Sequence, residues 1–137
     1  MDLAMEVFII SKAFPADERF SLTDQVRRSS RSVPANISEA WRKRRYQAAF
    51  VSKLNDAEGE AAETQTHVEI ARRCGYLTDD QAQTLDRRYE HLLAQLVTMA
   101  TRPEVWTVGK NDRATLRQGD KPTTGISESQ SRPVSQS

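Results

Sequence analysis

Phe50 to Gly75 read FVSKLNDAEGEAAETQTHVEIARRCG. Within it Phe50, Leu54, Ala57, Ala61, Thr64, Val68 and Ala71 are spaced alternately four and three apart. That repeat lays one stripe along an α-helix, as in a heptad seam, and does not fit a strand. Four of the seven stripe positions are Ala or Thr, so a neighbouring helix can approach closely, but less apolar area is buried than by a leucine seam. Gly75 after Cys74 supplies the left-handed residue that ends such a helix. Thr78-Asp-Asp-Gln81 then has the form of a capping box opening another. The turn between the two is tight, and short turns place consecutive helices antiparallel.

Working outward, Ala82, Leu85, Tyr89, Leu92, Leu96 and Met99 continue the helical period beyond the turn. Upstream, a helix beginning at Ser21 as N-cap is predicted to bury Leu22, Val26, Val33, Ile37 and either Ala40 or Trp41. Pro34 lies inside it, removing a backbone donor and crowding the preceding turn, so a kink near Ser30 or a break is expected. A short first helix carries Leu3, Val7 and Ile10 on one face and stops near Phe14, because Pro15 disfavours helical geometry in the residue before it. No strand or hairpin signal is present. The fold class expected is all-α, an antiparallel up-down four-helix bundle over residues 1–102. A disordered tail follows over 103–137, where periodicity gives way to Gly, Ser, Thr, Gln and Pro. Trp106, the apolar point of that tail, is expected to fold back on the bundle rather than dock a partner.

A chain of 137 residues with 37% apolar content supports one core. Twenty Lys plus Arg balance nineteen Asp plus Glu, so any electrostatic partner must be recognised by the placement of charge and not by its sum. The lone cysteine, Cys74, cannot form an internal disulfide, and no basic-then-apolar leader opens the sequence; both fit a cytoplasmic location. No apolar run approaches the roughly 20 residues of a membrane span.

Charge placement is the strongest chemical signal. Arg19, Arg27, Arg28, Arg31, Arg42, Lys43, Arg44, Arg45 and Lys53 face only Asp24 and Glu39 within residues 19–53. Residues 54–70 then carry Asp56, Glu58, Glu60, Glu63 and Glu69 without a basic residue. One reading is a footprint for nucleic-acid phosphates, which clustered arginines bind by releasing counterions. The other is a solvated helix face, or complementary patches meeting between identical subunits. His67 and His91 lack the paired Glu-x-x-His motifs of a di-iron bundle, so no metal or cofactor is expected, and both histidines are assigned to the surface or its boundary. Glu39 and Glu63 could approach as paired carboxylates, but buried polar groups satisfied by Asn36 or by arginines are the preferred reading. No nucleophile, phosphate loop or catalytic set is found, and the expectation is a non-enzyme.

Several motifs stand in a familiar order: Phe14-Pro15-Ala-Asp-Glu18, Leu22-Thr-Asp-Gln25-Val-Arg27-Arg28, Ser32-Val-Pro34-Ala-Asn36-Ile37-Ser-Glu39, Gly59 with Glu63 and Thr66, and Gly75-Tyr76-Leu77. Over about residues 1–100 this resembles the 23S rRNA intervening-sequence proteins, related to the accessory variability determinant of diversity-generating retroelements. The resemblance implies a bundle that assembles into a homo-oligomer, a pentamer, without enzymatic activity. In the retroelement branch it implies binding to RNA or DNA and to a reverse transcriptase. It marks Arg27 and Arg28 as phosphate contacts, or equally as intersubunit salt-bridge residues, with Arg31 and Arg42 to Arg45 beside them. Pro34, Asn36, Glu39, Gly59, Glu63 and Gly75 become its structural positions. Two departures matter: the run Arg42 to Arg45 replaces a Gly- and Ser-containing turn, and Ala61 and Thr64 replace core leucines, which suggests a less well packed bundle or greater reliance on oligomer contacts. Family members also begin earlier, which suggests that Met1 is an internal methionine of a longer product.

Overall fold

A computed structural model describes residues 1–108. Four helices, α1 (Asp2–Ser11), α2 (Leu22–Arg42), α3 (Gln47–Arg73) and α4 (Asp79–Thr101), are accompanied by 3-10 turns at Ala16–Glu18 and Pro103–Val105. α2 packs along α3, α3 along α4, and α1 closes the bundle against α2 and α4. The all-α four-helix expectation is met.

All seven positions of the predicted α3 stripe are buried. Small side chains let α2 and α3 approach, and the polar ones among them satisfy each other. The Ser29 and Thr64 hydroxyls lie 2.8 Å apart, and Thr64 Oγ1 also reaches the Glu60 carbonyl at 2.9 Å, so neither hydroxyl is buried unpaired. His67 departs from expectation. Assigned to the surface or boundary, it is buried beside that stripe, because it follows Thr64 by three residues and so shares its face.

α2 runs unbroken through Pro34 from Leu22 to Arg42, so the break offered as an alternative to a kink does not occur. Ser21 does precede α2, but its hydroxyl donates to Glu18 instead of capping the helix. At the predicted core position Ala40 is buried and Trp41 is not. α1 ends at Ser11, earlier than the Phe14 limit, and the chain reaches Pro15 through a turn.

Between α3 and α4 both predicted caps form. Gly75 has φ of +80°, with Tyr76 N–H bonded to the Ala71 carbonyl and Gly75 N–H to that of Arg72, a Schellman arrangement. Thr78 Oγ1 accepts from Gln81 N–H at 3.1 Å, and Gln81 Oε1 accepts from Thr78 N–H at 3.0 Å. Thr78→Ala removes one arm of this box and is expected to cost about 1 kcal/mol, read as a lower urea midpoint with unchanged slope.

The core has two parts. The larger one gathers Val7, Phe14, Val26, Val33, Val68, Leu77, Leu85 and Tyr89. A smaller one of Ala40, Phe50, Leu54, Ala57 and Leu96 lies toward the α2–α3 turn, and no α1 residue belongs to it. There Pro103 is buried and Trp106 packs against the cluster, while Val108 N–H bonds to the Arg44 carbonyl at 2.9 Å. Trp106 thus folds back as expected, and the packed body continues past the boundary expected at residue 102. The expected disorder of the remaining tail concerns residues outside those described.

Candidate nucleic-acid interface

The seven basic residues singled out from the sequence occupy three separate settings. Arg27 lies between α2 and α1, where its Nε donates to Ser11 Oγ at 2.7 Å and its guanidinium sits 4.7 Å from the centre of the Phe8 ring. Arg31, one turn later, reaches the same ring at 5.7 Å and is exposed. Arg28 is about 100° further round the helix and faces α3. It pairs there with Glu63 and, at 3.4 Å, with Glu60. The opposite charges of α2 and α3 therefore meet within one subunit.

Burial pushes the Glu63 carboxyl up, but the Arg28 guanidinium and then His67 outweigh it and hold it below the usual carboxylate range. A group depressed in the folded state contributes stability above its unfolded range and loses it as pH falls through the folded value. Arg28 is half exposed, so Arg28→Ala is expected to cost under about 1 kcal/mol at neutral pH. The difference should vanish once Glu63 is protonated in both proteins, which urea midpoints at neutral and strongly acidic pH would check.

The third setting is the α2–α3 turn. Arg44 is the ordered member: its guanidinium stacks 3.8 Å from the Trp41 ring centre, and its Nε donates to the Trp41 carbonyl at 3.0 Å. Burial lowers its pKa from the ordinary arginine value. Arg42, Lys43 and Arg45 are exposed, and among the described residues no carboxylate lies within ion-pair distance of them. The nearest acid in sequence, Glu39, is taken by Lys53 at 2.7 Å, which holds its carboxyl low.

The remaining candidates serve the fold. Glu39 and Glu63 each bind a different cation, so the structure does not present them as an acid–base pair. Among the described residues no group of three or more His, Cys, Asp or Glu side chains could hold a metal ion. Cys74 is a free, exposed thiol, and no helix of the described residues is long and apolar enough to cross a membrane. Asn36 donates to the Ser32 carbonyl at 3.0 Å and lines, with Gly59 and Glu63, a shallow polar groove between α2 and α3. At the opposite end Tyr76 donates to Glu18 at 2.9 Å and packs on Phe14 with ring centres 5.6 Å apart. The hydrogen bond to the Glu18 carboxylate pushes the Tyr76 phenol up to about 12. Phe14, Glu18 and Tyr76, distant in sequence, thus staple one end of the bundle.

Sequence reasoning passed over two features. Met1, Met5 and Ile9 form an exposed stripe on α1, a signal present in their spacing of four. Trp41 and Tyr46, which bracket the basic run, are both exposed.

A sequence model of the 23S rRNA-intervening sequence protein family matches residues 1–98. Among solved structures, a protein with unknown function from the S23 ribosomal protein family, from Bacteroides thetaiotaomicron, is similar with a TM-score of 0.66 and 28% identity, covering 72% of this chain and 92% of that one. No curated protein matches the chain.

Proposed function

The chain belongs to the 23S rRNA-intervening sequence protein family, and from that premise we propose that it is a non-catalytic, oligomeric four-helix bundle that associates with RNA or DNA through the basic end at its α2–α3 turn. One observation carries this reading: Arg42, Lys43 and Arg45 stand exposed in one short turn without a carboxylate partner among the described residues. Cations crowded in sequence repel one another, and phosphates relieve that repulsion. Arg31 adds a further exposed cation on α2, whereas Arg27 and Arg28 already hold α1 and α3.

Self-association is supported by α1. It meets α2 and α4, yet Met5 and Ile9, with Met1 just before the helix, remain exposed, and neighbouring apolar side chains left in water mark a surface that a partner subunit can cover. The resemblance supplies the pentamer as the expected state. It also supplies the role as accessory to a retroelement reverse transcriptase, for which a reverse-transcriptase gene beside a variable repeat would be the supporting context. A cytoplasmic location accords with the lone free cysteine. The same α1 stripe favours a second reading, a protein-interaction scaffold without nucleic acid.

Light-scattering mass, with and without a mixed pool of single-stranded RNA and DNA at low and moderate salt, decides between them. With three or four phosphates neutralised per subunit, affinity for a single strand should fall about 20- to 50-fold over a fourfold rise in salt, while the oligomer persists. A ring that takes up no nucleic acid at low salt would overturn the first reading and leave the scaffold.

A further inference from the structure

The α2–α3 turn holds more than charge. Its sequence is Trp41-Arg-Lys-Arg-Arg-Tyr46, a run of cations closed at each end by an aromatic. Trp41, on the last turn of α2, is 40% exposed, and Tyr46, immediately before α3, is 66% exposed. Trp41 stacks on Arg44 but still leaves much of its ring in water. The adjoining core is filled by Phe50, Leu54 and Leu96 and covered by Trp106. Among the described residues the Tyr46 ring packs on no other aromatic and its hydroxyl has no hydrogen-bond partner. Large rings left in water have a cost that burial would remove.

The backbone that carries the two rings is nevertheless held in place. Trp41 is backed by the Arg44 guanidinium at 3.8 Å, and Arg44 is anchored through its carbonyl by Val108 N–H. Tyr46 N–H bonds to the Lys43 carbonyl at 2.9 Å, and the Tyr46 carbonyl accepts from Phe50 N–H at 2.9 Å. A turn pinned at both ends thus displays two rings and, between them in sequence, three exposed cations that form no ion pair among the described residues.

Bases in a duplex are already stacked and offer no free face, whereas an unpaired strand offers faces to rings and phosphates to cations. We propose that this turn is a stacking platform for single-stranded nucleic acid: Tyr46 and Trp41 receive unpaired bases, and Arg42, Lys43 and Arg45 take the intervening phosphates. The proposal rests on the nucleic-acid reading above and specifies its ligand. Stacking accepts any base, so recognition at this turn is of strandedness and not of sequence, and RNA and DNA strands share the chemistry.

The test measures binding of the full chain, at low salt, to a short labelled oligouridylate, an oligothymidylate, an abasic strand of equal phosphate number, and a duplex. Tyr46→Ala is the informative variant, because the side chain is exposed and its backbone bonds remain; Tyr46→Phe keeps the ring. Expected is a roughly 5- to 150-fold weakening of both base-bearing strands by Tyr46→Ala, no change on the abasic strand, and wild-type affinity for Tyr46→Phe. The two homopolymers separate a preference for RNA from one for DNA. Equal binding of base-bearing and abasic strands, with Tyr46→Ala without effect, would overturn the platform and leave an electrostatic surface. Failure of every strand to bind would overturn the nucleic-acid reading itself.

Discussion

Phe50→Ala is expected to remove about 3–5 kcal/mol of stability, the range for emptying a large aromatic site in a packed core. Phe50 is 0% exposed. Its buried companions include Ala40 and Ala57, side chains too short to move into the space, so the cavity should persist and the cost should fall toward the upper end. The same truncation in the larger cluster, which Val7, Leu85 and Tyr89 surround with longer neighbours, has more means of relaxation. A domain of this size retains only about 5–15 kcal/mol in total, so the variant should lie near its unfolding midpoint in mild urea. Circular dichroism across a urea series reads the effect. A loss under about 1 kcal/mol would mean that the small cluster is not the packed end described, and Trp106 would then have no core to cover.

That cluster also marks how much of the fold was legible. The α3 stripe was readable in full because a single period governs it and each of its positions faces a helix partner. The Gly75 and Thr78 caps were readable because their chemistry is local: a left-handed residue and a reciprocal pair of hydrogen bonds need no tertiary context. His67 was not readable, since a histidine three residues after a stripe position is buried or exposed according to how far the neighbouring helices spread. Continuity of α2 through Pro34 was equally hidden, because tertiary packing can hold a helix together where local propensity would end it.

The candidate site was legible in composition and illegible in geometry. Arg27 and Arg28 are adjacent in sequence, and the resemblance gave them one role, yet about 100° of helix rotation sends one to Phe8 and Ser11 and the other to Glu60 and Glu63. Of the basic stretch, Arg28 meets the acidic stretch within one subunit, through Glu60 and Glu63. What survives as uncompensated charge is the turn, where no regular structure dictates a partner. Its bracketing aromatics were visible as letters, but only their exposure distinguishes them from core residues.

This division fixes the second large effect. Replacing Arg42, Lys43 and Arg45 together by glutamate is expected to weaken binding of a single strand by about 100-fold at 0.1 M salt. That figure is what three unreleased sets of counterions amount to, and the reversed charge adds repulsion. The slope of log affinity on log salt for a single strand should fall by about 2, with all three phosphate contacts gone. Arg44 is left in place because its stack on Trp41 orders the turn. Stability should fall by only about 1–2 kcal/mol, since Arg42 and Lys43 close the C-terminus of α2, where glutamate opposes the helix dipole. Arg28→Ala gives the opposite pattern, a small loss of stability with the salt slope unchanged, because its charge is already spent on Glu60 and Glu63. If instead the triple variant binds within about tenfold of the wild type while Arg28→Ala loses the slope, the ion pairs across α2 and α3 must open for phosphate. The binding surface would then be the α2 face, exposed by partial separation of the helices, and not the turn.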